Sequence, residues 1–92
     1  MNQQETAFSY GLMAVTYILA EDALRDRFLA LSGLSPDEIR ASLQKPDFLA
    51  SALEFLISHE PDLIACAESI NESPKDIVAA WRNLGGGAGQ EW

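Results

Sequence analysis

His59 and Cys66 are the single imidazole and the single thiol of this 92-residue chain, seven positions apart across Pro61. A Cys–His pair activates a nucleophile only when the two groups reach each other and a third group orients the base. The spacing permits proximity without requiring it. His59 falls in the last turn of a predicted helix, where the helix dipole favours a cation. Cys66 sits among Leu63, Ala67 and Ile70, a setting that suits a small core residue. His59 with Glu60, Asp62 and Glu68 could offer a metal one nitrogen and several oxygens. No second histidine shares a helical face, however, and no calcium-loop spacing occurs. A lone cysteine excludes an internal disulfide, and with one histidine it cannot close a structural zinc site without carboxylates. The glycines of 85–89 follow a predicted helix rather than opening one, so no phosphate loop is present. The chain is thus read as non-enzymatic, with no catalytic residue, no metal and no cofactor; a small enzyme using His59, Cys66 and acids is the third-ranked reading.

The second-ranked reading is a DNA-binding regulator. Ala30, Gly33, Leu34, Ser35, Ile39 and Leu43 follow the spacing of a helix-turn-helix. Its second helix ought to offer phosphates a basic face, yet it begins with Asp37 and Glu38. Residues 1–46 hold six acids against four bases, and 47–92 hold eight against two. The total of −8 lacks a basic footprint and disfavours nucleic acid and anionic membrane alike. Any charged partner should be basic.

The elements that position these residues are readable from caps and periodicity. A first helix over Glu5–Ala20 places Phe8, Leu12, Val15 and Leu19 at helical spacing, with Met13, Tyr17 and Ile18 making it apolar almost all round. Gly11 in its middle costs up to ~1 kcal/mol against alanine unless close packing compensates. Asp22 is expected to cap a second helix through Ser32, with Leu24, Phe28 and Leu31 on one face and Gly33 as a left-handed C-terminal residue. Ser35-Pro36-Asp37-Glu38 is a capping box that starts a third helix, running to about Gln44. A fourth, strongly apolar helix over Pro46–His59 should pair with the first. A fifth spans Pro61–Ile70. Ser73-Pro74 starts a sixth, which buries Ile77, Trp81 and Leu84. Trp81 reads as a core anchor, and Trp92 has no readable role.

No alternating strand pattern occurs, so the fold class is all-α: a compact bundle of five to six short helices, with a helix-turn-helix-like element. One domain is expected over 1–84, and a flexible Gly-rich tail over 85–92. The uncharged run 7–20 is too short to span a bilayer, and no basic segment precedes it as in a secretory signal. No membrane association and a cytoplasmic location are expected.

Several of these segments occur together in a known pattern: Ala20-Glu21-Asp22, Arg27 through Arg40, Pro46-Asp47-Phe48-Leu49, Ala52 through Leu56, Glu60, and Pro74 through Ile77. The arrangement resembles a family of short bacterial proteins classed only as a domain of unknown function, across about residues 12–84. The resemblance implies a stand-alone bacterial domain and brings no activity, cofactor or site residue with it.

The first-ranked function is a protein-interaction module, either binding a protein partner or self-associating as a homodimer. In a chain this small, hydrophobic gain and conformational entropy nearly cancel, so an added interface would be stabilising. Phe8, Leu12, Val15 and Tyr17 are the candidate interface residues, provided the first helix is incompletely covered. The sequence says nothing about a small-molecule ligand.

Overall fold

The computed structural model describes residues 3–86, which form six α-helices; no strand occurs among the described residues. In order they are α1 (Gln3–Ala20), α2 (Asp22–Ser32), α3 (Pro36–Ser42), α4 (Pro46–Ile57), α5 (Glu60–Ile70) and α6 (Pro74–Asn83). The fold is the all-α bundle that the sequence predicts.

Local chemistry sets most boundaries. Gly33 adopts φ 70° and closes α2 with a bond from its N–H to the Leu29 carbonyl. The Ser35 hydroxyl accepts from the Glu38 N–H while the Glu38 carboxylate accepts from the Ser35 N–H, completing the capping box at α3. Ser73 caps α6 through the Asp76 N–H. Asn71 takes a left-handed conformation at the end of α5, and the Glu72 N–H reaches back to the Ala67 carbonyl.

Other boundaries differ from expectation. The N-cap of α2 is Glu21, without a side-chain hydrogen bond, and Asp22 lies inside the first turn. The third helix ends at Ser42 rather than near Gln44, because Lys45 must be extended ahead of Pro46. The fourth ends at Ile57. His59 is therefore no last-turn residue; it is the extended N-cap of α5. Of the stretch read as a tail, Gly85 and Gly86 form the turn that closes α6, and residues 87–92 lie outside the described residues.

The core is built around α1 and α4, as expected, with α6 as a third central member. Ile18, Leu49, Leu53, Leu56 and Ile77 are essentially inaccessible, and Cys66 packs with them as a core residue. Gly11 lies where α1 meets α4; a Cβ there would come within 2.8 Å of the Leu49 Cβ. Trp81 is partly buried against the core, and the Gly86 backbone covers its indole so closely that a Cβ at Gly86 would overlap it. α2 packs mainly on α1, whereas α3 makes no extensive contact with any other helix and is held by buried Ile39. No described helix is long and apolar enough to cross a membrane.

Candidate functional site

α2 and α4 stand apart, and aromatic rings bridge the gap. Phe28 of α2 meets Phe48 and Phe55 of α4 edge-on, at centroid separations of 6.0 and 5.2 Å. These geometries suit the ring quadrupoles. Above the rings lies an open groove of about 560 Å³, walled by Leu31 and Leu34 on one side and by Ser51, Glu54 and Ser58 on the other. Leu31 is 76% exposed at its rim. The expectation that Leu31 shares a buried face with Leu24 and Phe28 is thus corrected: Leu24 and Phe28 are buried, but Leu31, one turn further along α2, is exposed.

Arg27 and His59 also line the groove, and both meet the carboxylate of Asp62. The Arg27 guanidinium lies 5.1 Å from the centre of the Phe55 ring, a cation–π contact. It also donates to Asp62 at 2.6 Å, and the His59 Nδ1 lies 2.9 Å from the same carboxylate oxygen. Asp62 is mostly buried while Arg27 and His59 are about half exposed. Desolvation alone would raise the Asp62 pKa, but the hydrogen bonds from Arg27 and His59, with their Coulombic attraction, outweigh it and hold the carboxyl below its usual value.

This cluster ties α2 to the start of α5 and makes stability pH-dependent. A carboxyl that titrates lower in the folded chain stabilises it above the unfolded value of about 4. That stabilisation is lost as pH falls through the folded value. Asp62→Asn is expected to remove about 1–2 kcal/mol at pH 7 and to flatten the acid side of the stability profile. Urea titrations of both proteins at pH 7 and pH 3 measure this; parallel profiles would contradict the assignment.

The residues singled out from the sequence do not converge on one site. Val15 is 3% exposed and is a core residue, not part of a surface. Phe8 borders a cleft between the start of α1 and the end of α6, whereas Leu12 and Tyr17 border another between α1 and α5. Cys66 is wholly buried, and burial pushes its thiol up to about 11, far from a thiolate at neutral pH. His59 has Asp62 as its partner. Among the described residues, no group of three or more His, Cys, Asp or Glu side chains is placed to hold a metal ion. The helix-turn-helix candidate is present as α2, a turn and α3, but its second helix has only seven residues and an acidic first turn.

The sequence reading missed the groove and the Arg27–Asp62 pair. Phe28, Phe48 and Phe55 were visible as apolar positions, and Arg27 beside Phe28 as a charge on a predicted helix. Nothing local connects Arg27 with Asp62, 35 positions away.

No curated protein and no solved structure matches the chain. A family model does, over residues 4–87, under the description "Protein of unknown function (DUF3572)". That span covers α1 through α6 and hence every residue of the groove, so the chain belongs to the DUF3572 family.

Proposed function

We propose that this chain is a non-enzymatic protein-interaction module whose α2–α4 groove receives an apolar anchor from a partner protein. Leu31 carries the proposal. An exposed leucine forgoes roughly 1.5–3 kcal/mol of burial, and here it does so beside an aromatic floor. An apolar patch rimmed by polar groups has the character of a binding surface. Phe8, Leu12 and Tyr17 offer less, because they are half-buried and divided between two clefts. The buried, protonated Cys66 and the Asp62-bound His59 speak for recognition rather than nucleophilic chemistry.

Leu31→Asp separates the groove from the fold. Because Leu31 is largely exposed, stability should change by no more than about 0.5 kcal/mol. A photo-crosslinker at position 51 in the otherwise unchanged chain should give a defined protein adduct in cells, and adding Leu31→Asp should abolish it. An adduct of equal yield with Leu31→Asp, or no adduct from position 51, would overturn the proposal.

A further inference from the structure

The hydrogen-bonding state of the groove points to the chemistry of its occupant. We infer that the partner segment is basic as well as apolar: a short amphipathic helix that seats an apolar side chain on the phenylalanines and presents Lys or Arg to α4. This inference rests on the groove being a docking surface, and it concerns which partner the groove selects.

Ser51, Glu54 and Ser58 recur at three- and four-residue spacing and form one stripe along the groove. The Ser51 hydroxyl donates its proton to the Asp47 carbonyl at 3.1 Å, and that of Ser58 to the Glu54 carbonyl at 2.8 Å. Both hydroxyls therefore turn only lone pairs toward the groove. Glu54 is exposed, and no cation pairs with it among the described residues. An ionised carboxylate accepts and cannot donate.

The cation nearest the floor is already committed. Arg27 is bound to Asp62 and stacked on Phe55, so its charge is cancelled within the wall. The groove thus combines an aromatic floor with acceptors and one unpaired negative charge. An anionic ligand would meet Glu54 without a free cation. A second copy of the chain would bring another eight net negative charges and the same acceptor-rich stripe. A helix with leucines on one face and lysines beside them satisfies floor and wall together.

Three synthetic amphipathic helices test this, identical in their leucine face and carrying Lys, Gln or Glu on the flanking positions. Each is titrated into isotope-labelled full-length protein, and the resonances of Leu31 and Phe55 report occupancy of the groove. The Lys peptide should bind about fivefold more tightly than the Gln peptide, and the Glu peptide most weakly. Glu54→Lys should abolish this preference. Glu68→Lys makes the same change in net charge outside the groove and should preserve it. Groove shifts with no charge preference, or a preference lost equally in both variants, would overturn the basic partner and leave the docking surface standing. If none of the three peptides shifts Leu31 or Phe55, the docking surface itself falls.

Discussion

Phe28→Ala should cost about 3–5 kcal/mol of unfolding free energy, a large share of what a domain of this size possesses. Phe28 is 4% exposed and is the side chain through which α2 meets both Phe48 and Phe55. Truncation removes the transfer energy of the ring, two edge-on aromatic contacts and the support under the Arg27–Phe55 stack. The surrounding helices are held by connections elsewhere, so they can collapse only partly into the space. Urea denaturation followed by far-ultraviolet circular dichroism measures the loss, and a change below about 1.5 kcal/mol would show that the aromatic bridge is not needed. Phe28→Leu keeps most of the volume and should lose much less. Comparing the two separates volume from ring geometry, and because the bridge floors the groove, the alanine variant should lose peptide binding as well.

Gly11→Ala should be destabilising by about 1–3 kcal/mol, opposite in sign to the gain of up to about 1 kcal/mol that helix propensity alone would give. The added Cβ would lie 2.8 Å from the Leu49 Cβ, nearer than carbon atoms pack. Leu49 is fully buried, and a Cβ cannot swing aside as the tip of a long side chain can. Relief requires α1 to move away from α4, along the central seam of the bundle. Thermal or urea unfolding of the single variant decides the sign. A stabilised Gly11→Ala protein would mean that the two helices are not in this register.

The two variants mark where sequence reasoning reaches and where it stops. That Gly11 needs a closely packed neighbour followed from its position in an apolar helix; that the neighbour is Leu49 required the fold. Gly33, Ser35 and Ser73 were legible because a cap is settled within four residues of chain by hydrogen bonds that have nowhere else to go. Lys45 was legible in part: proline ruled out helix before it but did not show how early α3 would close. Leu31 was misplaced because periodicity reports which side chains share a face, not whether another element covers that face. Val15 and Tyr17 show the same ambiguity from the other side. Both belong to an all-round apolar helix, yet one is core and the other half-surface, depending on where α5 and α4 lie. The clustering of Arg27, His59 and Asp62 joins distant parts of the chain and leaves no local trace.

The weak attachment of α3 has a consequence for motion. Leu34, a wall of the groove, belongs to the turn that leads into α3, whose one buried residue is Ile39. Segments with few buried contacts open at free energies well below that of global unfolding, so this stretch is the natural site of fluctuation. A ligand that needs the Leu34 wall in place binds only the closed form. At a hundredfold excess over its dissociation constant it would raise the free energy of opening by about 2.7 kcal/mol. Occupancy of the groove would then be felt along the whole of α3, a helix that touches no ligand, as a quieting of its backbone.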